Sequence, residues 1–168
     1  MALLYMSALQ DKSSPKFDHP AAETPEKLLE VMCRKMKYES GTGYTSPAEI
    51  RKDGIAQCWG AADFEFEELT TMGFKPAIIF LSIGHPPSHT HTAAIFKRSD
   101  KWYWLEWAWG KHEDVNGPFD SLADVKDFII KMFVKEYGQP DVVTVHHAKI
   151  GVKDISDSDY LKKAADHK

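Results

Sequence analysis

The feature of this sequence that most constrains its fold is a change in hydrophobic periodicity near Gly73. Before this glycine, apolar residues recur every three or four positions, which is typical of helices. After it come a continuous apolar run and stretches of β-branched and aromatic residues, which are typical of strands. Helices followed by antiparallel strands indicate an α+β fold, and 168 residues suit one domain. We therefore predict a helical N-terminal half that packs on an antiparallel sheet.

Capping and helix-stopping residues predict three helices in the first half. They are expected over residues 25–37, over a short segment that opens at Ser46-Pro47-Ala48-Glu49 and stops at Gly54, and over residues 57–72. In the third helix the apolar residues recur at helical spacing, and Glu65, Glu67 and Glu68 fall largely on the other side.

The second half predicts a sheet, one long helix and a polar tail. Strands are expected over Ala77–Ile83, 90–97, 101–109 and 142–145, and an amphipathic helix between Ser121 and Gly138. The expected organisation is a loose N-terminal arm over residues 1–23, a domain over 24–153, and a polar C-terminal tail over 154–168, frayed or forming a short helix.

Charge and cysteine content limit the partners and the compartment. The chain has 25 acidic and 21 basic residues and a formal net charge of −4, which provides no general attraction to nucleic acid or to an anionic membrane. No stretch approaches the roughly 20 apolar residues of a membrane span. Residues 2–9 are mildly apolar but lack the basic region of a signal peptide. With only Cys33 and Cys58, a disulfide framework is excluded, and we expect a cytoplasmic protein.

Cys58 is the first candidate for chemistry, because it falls where the third predicted helix begins. The free backbone amides and the positive end of the helix dipole stabilise a thiolate there, and the same amides can hold an oxyanion. A lone cysteine is more often a small buried hydrophobe, and placement alone leaves that alternative open. Cys33 lies mid-helix beside Met32, and we expect it in the core.

His91 and Glu106 lie on the two strands of the predicted hairpin. With a four-residue loop over residues 97–100, they become direct cross-strand partners on one face. A two-residue loop leaves them diagonal neighbours on that face, whereas a three-residue loop without a bulge separates them. A carboxylate beside a histidine fixes its tautomer and supports the imidazolium, as a cysteine–histidine pair requires. The alternative is a surface ion pair without catalytic meaning.

Three separated motifs resemble the transglutaminase-like superfamily, whose fold is papain-like. They are Gly54-Ile55-Ala56-Gln57-Cys58-Trp59, Thr90-His91-Thr92 and Lys101-Trp102-Tyr103-Trp104-Leu105-Glu106. The continuation from Trp107-Ala108-Trp109 to Phe119-Asp120-Ser121-Leu122 is similar to small bacterial and phage members, and the resemblance covers about residues 44–135. Two positions depart from the family pattern: the acid is Glu106 where most members have Asp, and Gly60 stands where an acidic residue is frequent.

The resemblance implies Cys58 as nucleophile, His91 as base and acid, and Glu106 as the orienting carboxylate. The expected activity is that of a cysteine peptidase or amidase without a cofactor, acting on an amide bond of a peptide or protein. The alternatives are a protein transglutaminase or deamidase, and a non-catalytic peptide-binding module on the same fold. The Cys58 backbone N–H is one expected oxyanion donor. Other candidates for the oxyanion or the substrate are Gln57, Tyr38, Trp59 and His89.

Two further patterns allow other interpretations. His85, His89, His91 and His112 could form a zinc site, but no CxxC or HExxH pattern accompanies them, so we predict no metal. Four tryptophans of the hairpin region, Trp102, Trp104, Trp107 and Trp109, alternate between its faces. Part of this set belongs to the core, and the rest can wall a substrate groove.

Overall fold

A five-stranded antiparallel sheet forms the centre of the computed structural model, which describes residues 22–166. Within that range the helices are α1 (Pro25–Lys35), α2 (Pro47–Asp53), α3 (Cys58–Thr71), α4 (Leu122–Tyr137) and α5 (Asp157–Ala165), with a short 3₁₀ helix at Gly110–His112. The strands are β1 (Lys37–Tyr38), β2 (Ile55–Ala56), β3 (Ala77–Ile83), β4 (His89–Arg98), β5 (Lys101–Glu106), β6 (Asp114–Phe119) and β7 (Val142–His146). The large sheet has the order β6-β5-β4-β3-β7, which confirms the α+β class.

Helices cover both faces of the sheet. On β3, Ile79 and Leu81 point to one face and pack with apolar residues of α4. Ile78 and Phe80 point to the other face, where α3 and α5 lie. This alternation follows from the period of two along a strand, and it explains why β3 is a continuous apolar run.

The predicted helix starts depend on local contacts, and the structure contains them. Ser46 and Glu49 form the complete capping box at the start of α2, and Gly54 ends that helix with φ of +66°. The first helix is shorter than expected and ends at Lys35. Its continuation turns into β1, because the Lys37 N–H donates to the Gly54 carbonyl at 2.8 Å. Strands β1 and β2 pair in parallel.

The hairpin loop is two residues long, which is the second of the three loop lengths considered from the sequence. Arg98 pairs with Lys101, and the turn residues Ser99 and Asp100 have φ of +50° and +63°. Positive φ at both positions matches the primed turns that fit strand twist. The register therefore moves by two residues, which keeps side chains on the same face.

The sequence analysis missed one strand of the five-stranded sheet, besides the two short strands β1 and β2. Residues 101–109 were expected as one strand, but β5 ends at Glu106, and the chain returns as β6. Strand β6 lies at the edge of the sheet and includes Gly117 and Pro118. An edge position tolerates proline because the missing N–H is not needed for the next strand.

The expected polar side of α3 is largely buried. Glu65 and Glu68 expose only 3% and 6% of their surface, contrary to the prediction. Helix α3 lies between the sheet and α2, and the guanidinium of Arg51 on α2 donates to Glu68 at 2.6 Å. The periodicity of the apolar residues did not indicate that α3 contacts α2 as well as the sheet.

The C-terminal segment belongs to the packed structure. Tyr160 and Ala164 of α5 are completely buried, and the Tyr160 ring stacks on the Trp59 ring at 4.8 Å. Of the two expectations for the tail, the short helix is present at Asp157–Ala165. The predicted N-terminal arm lies outside the described residues except for its last two positions. None of the helices within residues 22–166 is long and apolar enough to cross a membrane.

Candidate active site

Cys58 is the first residue of α3 and exposes 6% of its surface. The preceding residues place it there: Gly54 ends α2 in a left-handed conformation, and β2 then pairs with β1. The first backbone N–H groups of a helix have no intrahelical acceptor, so the Cys58 amide is available. Gly60 allows this helix start to approach its neighbour, because a Cβ at that position would clash with the Thr45 carbonyl oxygen.

His91 and Glu106 form a buried pair. The His91 Nε2 atom lies 2.7 Å from Glu106 Oε2, and the two residues expose 6% and 1% of their surface. They are diagonal neighbours, because Ala94 pairs with Leu105 in the actual register. The two-residue loop considered from the sequence therefore keeps this pair together.

The Glu106 carboxylate accepts three hydrogen bonds. Besides His91, the Trp104 indole N–H donates to Oε2 at 3.1 Å, and the Trp109 backbone N–H donates to Oε1 at 2.7 Å. Both carboxylate oxygens are thus engaged, which fixes the orientation of the group. Trp104 is completely buried and belongs to the core rather than to a groove.

The Cys58 side chain is the other polar neighbour of the His91 ring and contributes to the pKa of this histidine. Because Glu106 occupies Nε2, Nδ1 is the ring nitrogen left for the sulfur. Burial lowers the pKa of His91, but the Glu106 charge, the interaction with Cys58 and the hydrogen bond to Glu106 outweigh it and raise the pKa to about 10. His91 is therefore an imidazolium at neutral pH, between a carboxylate and a sulfur.

Trp109 and Glu136 hold the far side of His91. The Trp109 ring lies 4.7 Å from the His91 ring, and its indole N–H donates to Glu136 on α4 at 3.0 Å. Lys111 and His112 also contact Glu136, at 2.8 and 3.0 Å. Burial raises the pKa of Glu136, but hydrogen bonds from these three residues lower it to about 2. Sequence analysis missed Glu136 because nothing local marks it.

Two half-exposed tyrosines stand at the rim of the site. Tyr38 on β1 is 45% exposed and lies next to the start of α3, because it pairs with Ala56. Burial, then the charges of Cys58, Tyr137 and Glu106, raise the pKa of Tyr38 to about 12, so its phenol keeps its proton. Tyr137, which no sequence signal marked, is 41% exposed and stacks on the Trp109 ring at 5.7 Å.

The other sequence candidates occupy different positions. Gln57 is the half-buried N-cap residue of α3, and its side chain makes no capping hydrogen bond. His89 is exposed, and its ring stacks on Tyr137 at 5.0 Å. Trp59 packs inward instead: its indole N–H donates to Thr90 at 3.1 Å, so its contacts are with the core.

Cys33 was expected in the core, and this prediction was wrong. Its side chain lies on the exposed side of α1, where Sγ is 3.7 Å from Glu113 Oε2. The apolar stripe of α1 faces inward through Leu28 and Met32, which leaves Cys33 at the edge. Partial burial, then the Glu113 charge, raise the pKa of the Cys33 thiol to about 11.

No three His, Cys, Asp or Glu side chains within residues 22–166 come together in a way that could hold a metal ion. The histidines considered for zinc are instead placed separately: His91 faces Glu106, His112 faces Glu136, and His89 stacks on Tyr137. In the comparison with known proteins, the chain matches no family model and no curated protein.

Proposed function

We propose that this protein is a cysteine hydrolase of the transglutaminase-like type, with a papain-like arrangement of Cys58, His91 and Glu106. One observation carries the proposal: a buried His91–Glu106 pair, 2.7 Å apart, whose histidine interacts with a cysteine at a helix N-terminus. Nucleophile, base and orienting group within hydrogen-bond reach are the usual signature of covalent catalysis. A purely structural ion pair has no need for the cysteine.

In the proposed reaction, the Cys58 sulfur attacks the carbonyl carbon of an amide and forms a C–S bond. The carbonyl π electrons move to oxygen, and their return breaks the C–N bond. His91 gives its proton from Nδ1 to the leaving amine, which leaves a thioester on Cys58. Water then attacks the thioester and His91 takes a proton from that water. The C–S bond breaks with its electron pair going to sulfur, and the carboxylic acid leaves while His91 again holds its proton.

The oxyanion formed in both steps needs donors at the start of α3. The Cys58 backbone N–H is one, since the helix leaves it without an acceptor. The protonated phenol of Tyr38 is the second candidate, because it interacts electrostatically with Cys58. The Gln57 side chain, which caps nothing, is the third.

The proposed substrate is an extended peptide or protein segment that passes between Tyr38 and Tyr137. Both side chains are exposed, and both interact electrostatically with Cys58. Exposed aromatic rings provide large contact areas for a peptide. We place the reaction in the reducing cytoplasm, because both cysteines are free thiols.

The test is a burst of nitrophenol from p-nitrophenyl acetate in the wild type and in the variants Cys58→Ala and Cys33→Ala. We expect one equivalent of nitrophenol per protein chain, none from Cys58→Ala, and an unchanged burst from Cys33→Ala. A burst that survives in Cys58→Ala contradicts the proposal. If neither the wild type nor a variant reacts, the protein is better described as a non-catalytic peptide-binding module.

A second experiment tests whether water or an amine accepts the acyl group from the thioester. It uses a glutamine-containing peptide and a labelled primary amine. We expect hydrolysed product to form faster than the amine adduct. Faster adduct formation assigns the protein to the transglutaminases, with the same three residues.

A further inference from the structure

The chain neighbours of the proposed nucleophile and base are hydrogen-bonded to each other. The indole N–H of Trp59 donates to the Thr90 hydroxyl at 3.1 Å. Cys58 comes directly before Trp59 in α3. His91 comes directly after Thr90 in β4. One hydrogen bond therefore joins the first turn of the helix that carries the cysteine to the strand segment that carries the histidine.

The segment of β4 around Thr90 has a neighbouring strand on one side only. Within the described part of the chain, residues 89–93 pair with β3 alone, because the pairing of β4 with β5 covers residues 94–98. Such a segment has fewer backbone hydrogen bonds to fix its position than a central one. Consecutive side chains of a strand point to opposite faces, so Glu106 holds the segment through His91 and Trp59 holds it through Thr90.

The Trp59 ring is itself held in place by aromatic contacts. It exposes 9% of its surface and stacks on the Tyr160 ring of α5 at 4.8 Å. Tyr160 in turn stacks on Tyr44 at 5.2 Å, and the Tyr44 hydroxyl donates to Asp63, one helical turn after Trp59. The indole N–H therefore has a fixed position and direction, and a fixed donor determines where its acceptor lies.

We propose that Trp59 is a positioning residue, whose hydrogen bond to Thr90 sets the distance between the Cys58 sulfur and the His91 ring. The inference rests on the proposed function, because it assigns the indole a role in that reaction. A cysteine–histidine pair works only in close contact, and a displacement of about 1 Å lowers a catalytic rate on the order of 100-fold. Loss of the hydrogen bond without loss of the ring stack produces part of that effect, and we expect about tenfold.

The experiment removes the hydrogen bond from each side and measures the rate of the nitrophenol burst. Thr90→Val removes the hydroxyl and keeps a side chain of similar shape, whereas Trp59→Phe removes the N–H and keeps an aromatic ring. We expect each variant to react about tenfold more slowly than the wild type, and Thr90→Ser, which keeps the hydroxyl, to stay within threefold. The double variant should lose no more than the slower single variant, since both changes remove the same bond. Additive losses in the double variant would overturn the proposal.

Thr92→Val is the matched control on the same strand. Thr92 lies two residues after Thr90 and therefore on the same face. It exposes 1% of its surface, and its hydroxyl has no hydrogen-bond partner within residues 22–166. The same chemical change thus removes no hydrogen bond, and we expect a burst rate within twofold of the wild type. A tenfold loss in this control as well would overturn the proposal, because any change on this strand face would then slow the reaction.

Alkylation of Cys58 by iodoacetamide separates positioning from packing and needs no turnover. At pH 9 an ordinary thiol, with a pKa of about 8.5, is largely ionised without a partner, whereas at pH 6 its reaction depends on a neighbouring cation. We expect Thr90→Val to lower the ratio of the Cys58 rate at pH 6 to that at pH 9 about tenfold, with no change in this ratio for Cys33. Faster labelling of Cys58 at both pH values would indicate a looser fold instead and would overturn the proposal.

The outcomes distinguish this inference from the proposed function. A wild-type burst whose rate is unchanged in Thr90→Val and Trp59→Phe overturns the positioning role and leaves the hydrolase in place. Absence of a wild-type burst contradicts the hydrolase, and the alkylation ratio then decides whether the hydrogen bond sets the spacing of Cys58 and His91. A tenfold fall of this ratio supports that role, and an unchanged ratio overturns it.

Discussion

At the scale of single residues, the charge of Glu106 is the property that the proposed mechanism needs most. Glu106→Gln conserves volume but removes the charge that supports the His91 imidazolium. We expect the turnover of p-nitrophenyl acetate to fall by about 10³-fold or more, since a comparable change in a serine protease triad costs about 10⁴. Turnover within tenfold of the wild type would show that Glu106 has only a structural role.

The two histidines of β4 provide a matched pair for the same assay. His91→Ala removes the partner of Cys58 and Glu106 and should abolish the burst. His89→Ala removes an exposed ring that stacks on Tyr137, and it should retain at least half of the activity. The opposite result would identify His89 as the base.

The two thiols differ in a way that alkylation can measure. With its pKa raised to about 11, the exposed Cys33 thiol stays protonated at pH 6 and pH 8 and becomes reactive only as pH approaches that value. Cys58 is less exposed but faces the His91 imidazolium. We therefore expect iodoacetamide at pH 6 to label Cys58 at least tenfold faster than Cys33, as measured by peptide mass spectrometry. Glu113→Gln should accelerate labelling of Cys33 alone, and equal rates at both sites would contradict the expectation.

At the scale of secondary-structure elements, α4 positions His91 through a chain of contacts. Glu136 near the end of α4 accepts from the Trp109 indole, and the Trp109 ring covers His91. We expect Glu136→Gln to lower turnover by on the order of tenfold, because a small displacement of a catalytic group has a large effect on rate. Lys111→Ala, which removes an exposed partner of Glu136, is the control and should stay within twofold of the wild type. Equal losses of turnover in both variants would indicate that the ion pairs of Glu136 determine the effect, rather than its hydrogen bond to the Trp109 indole.

The elements that could be predicted from sequence are those specified by local contacts. The capping box that starts α2 and the glycine that ends this helix lie within a few residues of each other, so the local sequence pattern was sufficient to predict α2. The turn at Ser99 and Asp100 lacks the glycine or asparagine that usually marks a two-residue loop, which is why the sequence left the loop length open. Strand β6 was missed because Gly117 and Pro118 conceal an edge strand. For the candidate site, spacing suggested His91 and Glu106, whereas the role of Glu136 became visible only once distant segments were brought together.

At the scale of the whole molecule, Asp63 joins the helical layer to the C-terminal segment. Its carboxylate accepts from the Tyr44 hydroxyl at 2.9 Å and from the backbone N–H groups of Ile150 and Gly151 at 2.9 and 2.8 Å. Because Asp63 is completely buried, no water molecule can replace its carboxylate as the acceptor for these donors. This connection spans almost ninety residues of chain, so no local sequence pattern could predict it.

Removal of this connection should destabilise the entire fold. Asp63→Ala leaves two buried backbone N–H groups without acceptors, each of which costs about 1–3 kcal/mol, so we expect a loss of about 4 kcal/mol in the free energy of unfolding. Gly151→Ala should destabilise the same connection from the other side, because its Cβ would clash with the Tyr44 ring. Asp159→Ala, at the exposed start of α5, is the control, with an expected loss of about 1 kcal/mol or less. Urea unfolding followed by tryptophan fluorescence measures all three variants. If Asp63→Ala loses no more than Asp159→Ala, the C-terminal segment is attached mainly by the stack of Tyr160 on Trp59.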